Sequence, residues 1–199
     1  PTYNRSSYLD DCLKSIKIQV DENKDLNDAI EVVISDNGSS DNTSEIADKY
    51  KDYFKHFKYV KNEKNLGFDL NVLNVVKNAT STYCWYIGDD DIIVNGGIEL
   101  VLTSLQENIY DVVTIVSSDR KDGEPSSKKI TPENVFIEVE NFNEFYFKGY
   151  CKGIFCDLIF NREMWLQLVD TKNYLEYSLY YETVLNVTSK TNKKMLHID

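Results

Sequence analysis

The chain has 199 residues, 42% hydrophobic and 13% aromatic, enough to build one well-buried domain. Its formal net charge of −11 repels nucleic acid and anionic membrane surfaces. Charged residues make up 28%, and no run approaches the roughly 20 apolar residues that a membrane span requires.

The spacing of Leu9, Cys12, Leu13 and Ile16 predicts a helix over residues 7–20. A strand is expected from Ile30 to Ser35, followed by the polar turn "SDNGSSDNT". A helix then begins near Ser44, with Ile46, Ala47, Tyr50 and Phe54 on one face and Thr43 or Ser44 as its cap. "FKYVKN" reads as a short strand, and "NLGFDLNVLNVVKNA" as a helix with Asp69 as a candidate cap. Leu70, Leu73 and Val76, with Val72 or Val75, face its core side, and Asn71, Asn74 and Asn78 form a polar stripe.

"YCWYIGDDDIIV" reads as a buried strand that runs to Gly88 and ends in Asp89, Asp90 and Asp91. Adjacent carboxylates repel one another and avoid low dielectric, so this cluster calls for a cationic partner. "GGIELVLTSLQEN" predicts another helix and "YDVVTIVSSD" another strand. Residues 119–135 are polar, hold two of the three prolines, and read as an exposed loop. Aromatic-rich segments follow, and "KKMLHID" supplies a last strand. Strands that alternate with helices imply an α/β fold: a Rossmann-like, mostly parallel sheet with helices on both faces. Ligands bind at the carboxyl ends of strands in such sheets, where Ser35–Asp41 and Asp89–Asp91 fall.

Cys12, Cys84, Cys151 and Cys156 lack zinc-site spacing and read as reduced thiols in a cytoplasmic protein. The Asn-x-Ser/Thr triplets at Asn37, Asn42, Asn78 and Asn186 read as chance matches. His56 and His197 are isolated. The chain opens at Pro1 without an initiator Met, so a fragment of a longer protein is expected, with "PTYN" the exit of a strand whose body precedes it.

"PTYNRSSYLDDCLKSI", "EVVISDNGSSDNTSEIADKY" and "VKNEKNLGFDLNVLNVVKNATSTYCWYIGDDDII" resemble, in order and spacing, the family 2 glycosyltransferases with the GT-A fold. The resemblance covers roughly residues 1–105, and the tripled aspartate resembles the branch that includes abequosyltransferase-like enzymes. It implies a single GT-A domain, with residues 1–105 a nucleotide-sugar and metal-binding half and 106–199 an acceptor-side half.

In the family, an Asp-x-Asp motif grips Mn²⁺ or Mg²⁺, which bridges the nucleotide diphosphate. That implies Asp90 and Asp91 as metal ligands, with Gly88 where many members carry the first Asp and Asp89 as its substitute beside the nucleotide. Asp36 matches the acid that contacts the nucleobase, with an Asx-turn or helix cap as the alternative. Thr2, Tyr3 and Asn4 match the motif that flanks base and ribose, although Tyr3 also suits core packing. Asn74 matches an Asn near the diphosphate. The basic residue often found before it is Leu73 here, leaving Lys61 or Lys64 to compensate.

An inverting transferase needs a base for the acceptor hydroxyl. Glu182, in "YYETVLNV", stands where the family places that acid, with Glu176 as competitor. Tyr174, Tyr177, Tyr180 and Tyr181, with Phe145, Tyr146, Phe147 and Tyr150, suit packing or an acceptor platform.

The implied activity is transfer of a sugar from a UDP, dTDP or CDP donor to a glycan or lipid-linked acceptor. It belongs to bacterial surface polysaccharide synthesis, in the cytoplasm at the inner face of the membrane. A sugar-nucleotide nucleotidyltransferase is a rival on the same fold, but "PTYNRSSYLDD" lacks its Gly-rich basic loop. An inactive glycan- or metal-binding module is the other.

Overall fold

The apolar positions of the first helix, Leu9, Cys12, Leu13, Ile16 and Val20, recur at helical spacing, and all five are buried. The computed structural model describes residues 1–107, 109–115, 136–139, 157–168 and 195–198. In chain order the elements are α1 (Ser6–Glu22), α2 (Leu26–Ala29), β1 (Val32–Asp36), α3 (Thr43–Tyr50), β2 (Phe57–Lys61) and α4 (Phe68–Asn78). There follow β3 (Tyr83–Trp85), α5 (Gly97–Glu107), β4 (Val112–Ile115), β5 (Phe136–Val139), β6 (Leu158–Asn161), α6 (Arg162–Leu168) and β7 (Met195–Ile198).

These residues form two compact units. The first comprises Pro1–Ser81 and Gly88–Ser104; the second comprises Thr82–Ile87 and the described residues from Leu105 onward. In the first unit β1 and β2 pair in parallel, Val32 opposite Phe57 and Asp36 opposite Lys61. Thr2 adds a parallel bridge to Asp36: its N–H donates to the Ser35 carbonyl at 2.9 Å, and its carbonyl accepts from Asn37 N–H at 2.9 Å. Helix α4 packs on β1, its Val72, Leu73 and Val76 buried, and α1 packs on α3. That second contact is pinned where the Lys49 ammonium and the Tyr50 hydroxyl both reach the Asp10 carboxylate, at 2.6 and 2.9 Å.

The second unit holds a five-stranded sheet in the order β3-β6-β4-β7-β5. Parallel pairing, as the alternating pattern implies, joins β4 to β7. β6 runs antiparallel to both β3 and β4, and β5 antiparallel to β7, so this sheet is mixed rather than mostly parallel. Phe160, Trp165 and Tyr86 form its aromatic core, with the Tyr86 and Phe160 ring centroids 4.7 Å apart. His197 is buried in β7, its Nδ1 3.0 Å from the Thr114 hydroxyl.

Three local expectations need correction. The strand expected to reach Gly88 is a ladder of three half-buried residues ending at Trp85. Neither Thr43 nor Ser44 caps α3: Asn42 holds the cap position without a side-chain bond, and Asp41 before it accepts from the Thr43 N–H at 3.1 Å and the Thr43 hydroxyl at 2.5 Å. Asp69 is not the cap of α4. It is the second helical residue and is buried, while Gly67 holds the flanking position at φ 87°. The loop expected at 119–135, the aromatic clusters, Cys151, Cys156, Glu176 and Glu182 lie outside the described residues.

Candidate active site

The first unit brings residues from four separate stretches to the carboxyl end of β1. Thr2 lies beside that strand end, and its hydroxyl donates to Asp89 Oδ2 at 2.7 Å across 87 positions of sequence. Three residues later the Arg5 guanidinium divides its fork between two acids: Nη1 lies 3.0 Å from Asp89 Oδ1 and Nη2 2.7 Å from Asp90 Oδ2. Asp89 is buried and Asp90 is 49% exposed. Burial pushes the Asp89 carboxyl above the usual carboxylate range, opposed by the Thr2 hydroxyl and the Arg5 charge. Arg5 is raised in turn, chiefly by its hydrogen bond to Asp90.

Gly88 has a steric role in this cluster. Its N–H donates to Asp91 Oδ2 at 2.8 Å. A Cβ at this position would stand 2.7 Å from Asp91 Oδ2 and 2.9 Å from Asp90 Oδ1. The missing side chain is what lets both carboxylates fold over residue 88.

Asn4 takes a left-handed φ of 52°, a conformation Asn tolerates better than most residues. From there its N–H donates to Ser39 Oγ at 2.8 Å, and its side-chain oxygen accepts from Ser40 N–H at 2.8 Å. Asp41 also accepts from Ser6 N–H at 2.9 Å, so it ties the starts of α1 and α3 together. Burial alone would raise the Asp41 carboxyl, but donors from Thr43 and Ser6 outweigh it and hold it down at about 2. Tyr3 is 42% exposed, so it is not a core residue.

Asp36 is fully buried, and both of its oxygens are taken: Oδ1 accepts from Ser39 N–H at 2.8 Å and Oδ2 from the Tyr59 hydroxyl at 2.6 Å. Burial and this hydrogen bond raise the Tyr59 phenol. Lys61 Nζ donates to the Ser39 carbonyl at 2.7 Å and lies 4.0 Å from Asp36 Oδ2. Asp36 thus braces the turn from below.

The asparagine stripe of α4 is an internal network. Asn71 is buried, accepting from the Ser35 hydroxyl at 2.6 Å and donating to the Ser35 carbonyl at 3.0 Å. Asn74 donates to Asn62 Oδ1 at 3.0 Å, and Asn62 donates onward to Asn37 at 3.2 Å. Asn37 in turn donates to Asn65 and to the Gly67 carbonyl. Gly38, at φ 81°, lets the turn approach the Lys64 backbone, where a Cβ would come within 2.9 Å. Arg5, Tyr59 and Asn62 are not legible as site residues in the sequence, because their partners are set by tertiary contact.

The carboxylate oxygens of Asp90 and Asp91 suit a hard divalent cation. Among the described residues no group of three His, Cys, Asp or Glu side chains gathers to hold a metal ion. Two carboxylates are the number that Mg²⁺ commonly takes from a protein alongside substrate phosphates. Burial pushes the Cys12 thiol up to about 12. Among the described residues no helix is long and apolar enough to cross a membrane.

Comparison with known proteins identifies the family and the fold. Abequosyltransferase RfbV of Salmonella typhimurium is 30% identical over 99% of this chain and 62% of its own length. The crystal structure of S. aureus TarS 1–349 in complex with UDP superposes with a TM-score of 0.70 at 22% identity, covering 99% of this chain and 56% of that one. The mannosyltransferase PcManGT from Pyrobaculum calidifontis, in complex with GDP-Man and Mn²⁺, gives 0.65 at 16% identity, covering 98% and 52%. The chain thus spans less than two thirds of each of these proteins, and the fold it shares with the two solved structures is GT-A. Residues 1–171 match the model of the family "Glycosyl transferase family 2", and the chain belongs to that family.

Proposed function

We propose that this chain binds a nucleotide-diphosphate sugar through its first unit and passes the sugar, with inversion, to a glycan or lipid-linked acceptor in bacterial surface polysaccharide synthesis. The observation that carries the reading is the convergence of Thr2 and Arg5 with Asp89 and Asp90, far apart in sequence, at the end of β1 in a family 2 chain. Relatives solved with UDP and with GDP-Man and Mn²⁺ support a nucleotide-sugar donor and a divalent cation.

In this reading Asp90 and Asp91 hold Mn²⁺ or Mg²⁺. Once bound, the ion neutralises the diphosphate as the sugar–phosphate bond breaks. Asp89 keeps the loop in place through Thr2 and Arg5. Tyr3, exposed beside Thr2, offers a face to the base, and Asn4 and Asp36 set the turn that receives the ribose and base. Asn74 and Lys61 line the phosphate side. Glu182 takes the acceptor hydroxyl proton as the glycosidic bond forms. In this reading the site of action is the cytoplasmic face of the inner membrane, where a lipid-linked acceptor would be met.

Thermal-shift titration with UDP, dTDP and CDP, with and without Mn²⁺, tests the reading. One nucleotide should raise the melting temperature in Mn²⁺ and do so far less in its absence, because ligands of the native state stabilise it. No shift with any of them would overturn it.

A further inference from the structure

Arg5 bridges the two acids on which the donor site turns. Its fork spans Asp89 Oδ1 and Asp90 Oδ2, and its guanidinium carbon stacks 4.8 Å from the centroid of the Tyr8 ring. The two acids differ in environment. Asp89 is buried and also held by Thr2, whereas Asp90 is half exposed and its Oδ2 is bonded to Arg5. One arm of the guanidinium is therefore anchored and the other is exchangeable.

We infer that Arg5 is the resident counter-ion of the acidic cluster: it holds Asp90 in place until donor and metal arrive, then exchanges that carboxylate for a diphosphate oxygen of the donor. This rests on the reading of Asp90 and Asp91 as metal ligands. A divalent cation and a guanidinium compete for the same Asp90 oxygen, because two positive charges on one carboxylate repel. The arm bonded to Asp89, supported by the stacking on Tyr8, keeps the guanidinium beside the cluster when Asp90 turns away. The planar fork that bridges two carboxylates matches phosphate oxygens equally well, which a lysine ammonium does not. In a chain of net charge −11, a cation already stationed among the acids meets the need for positive charge at the diphosphate.

The two roles have opposite signatures, which separates them from a purely structural one. In Arg5→Gln, Mn²⁺ alone, followed by calorimetry or by the loss of its free paramagnetic signal, should bind roughly three- to tenfold more tightly, since a competing charge is gone. UDP binding at saturating Mn²⁺ should weaken by roughly three- to tenfold, since a phosphate contact is gone. Arg5→Lys, which keeps the charge and loses the fork, should leave Mn²⁺ affinity near the parent value and still weaken UDP. A structural role would weaken both ligands and lower the melting temperature, and that result overturns the inference. So does unchanged affinity for both ligands in a protein that binds both, a result that leaves the metal reading standing. A parent protein that binds no Mn²⁺, with or without UDP, removes the metal reading and this inference together.

Discussion

Thr2 and Asp89 stand 87 positions apart in sequence and 2.7 Å apart in space, with the Thr2 hydroxyl donating to a carboxylate that is almost closed to solvent. This bond joins the strand end at the start of the chain to the acidic loop after β3. Thr2→Val keeps the shape and removes the donor, leaving Asp89 with Arg5 alone. The expected cost is about 1–3 kcal/mol, because a buried acceptor is stripped of one partner. Urea unfolding measures it, and Thr2→Ser should recover most of the loss. Equal midpoints for parent and valine variant would refute a stabilising role.

Asp41 gives a prediction in pH. Its carboxyl is held at about 2 in the folded chain, below the ordinary value near 4 of an unfolded one. A depressed folded value contributes stability that is fully present above pH 4 and disappears as pH falls through about 2. Asp41→Asn should therefore melt below the parent at pH 7, the gap narrowing between pH 4 and pH 2 as the parent's own carboxyl protonates. Melting curves across that range check it. A gap that stays constant down to pH 2 would assign the effect to packing instead.

Gly88 tests whether the folded-over carboxylates matter. The atoms that a Cβ would meet are the ends of the Asp90 and Asp91 side chains, which can swing aside. Gly88→Ala should thus change the melting temperature by no more than about 2 °C. Mn²⁺-dependent UDP affinity should fall by roughly tenfold to a hundredfold, as when the supports of metal ligands are disturbed. Unchanged affinity would show that the positions of these carboxylates are immaterial.

The base is a kinetic prediction. Glu182→Gln should slow transfer by roughly 10²–10⁴-fold while leaving donor and metal binding intact, and Glu176→Gln should be near neutral. Transfer to acceptor, or slow transfer to water, is measured for both at saturating donor. A crippled Glu176 variant beside an active Glu182 variant reverses the assignment.

What sequence could and could not show divides along physical lines. Helical periodicity locates α1, α3, α4 and α5, because each buries one stripe and the stripe is local information. The strand at "KKMLHID" is legible as a short apolar run, and β7 confirms it. β5 and β6 escape, because they sit in or beside aromatic-rich and polar stretches without alternation, and their antiparallel pairing is tertiary. At the site, Thr2 meets Asp89, and Asn4 meets Ser39 and Ser40 of the turn after β1. Arg5 goes unread because both its partners lie more than eighty positions away. The asparagines of α4 look like a solvent-facing stripe, yet Asn71 is 3% exposed, since the Ser35 hydroxyl and carbonyl satisfy its amide inside the fold.

Asp89 and Asp90 are neighbours of the same chemistry in opposite settings, and their asparagine variants should behave oppositely. Asp90 is half exposed, and its pairing with Arg5 at the surface is worth at most about 1 kcal/mol. Asp90→Asn should therefore fold as the parent does, since the amide oxygen can still accept from Arg5. If Asp90 ligates the cation, the neutral amide is a much poorer partner for it, and Mn²⁺-dependent UDP binding should disappear. Asp89 is buried, with Thr2 and Arg5 each donating to one of its oxygens. In Asp89→Asn one of those donors must face an NH₂ group, which should cost about 1.5–3 kcal/mol of stability. Once that variant is kept below its lowered melting temperature, residual Mn²⁺-dependent UDP binding should survive if Asp89 positions the loop and Asp90 holds the ion. Calorimetry on both variants, paired with urea unfolding, reads the two quantities independently. Full Mn²⁺–UDP affinity in Asp90→Asn, or complete loss in a folded Asp89→Asn, would move the metal from Asp90 to Asp89.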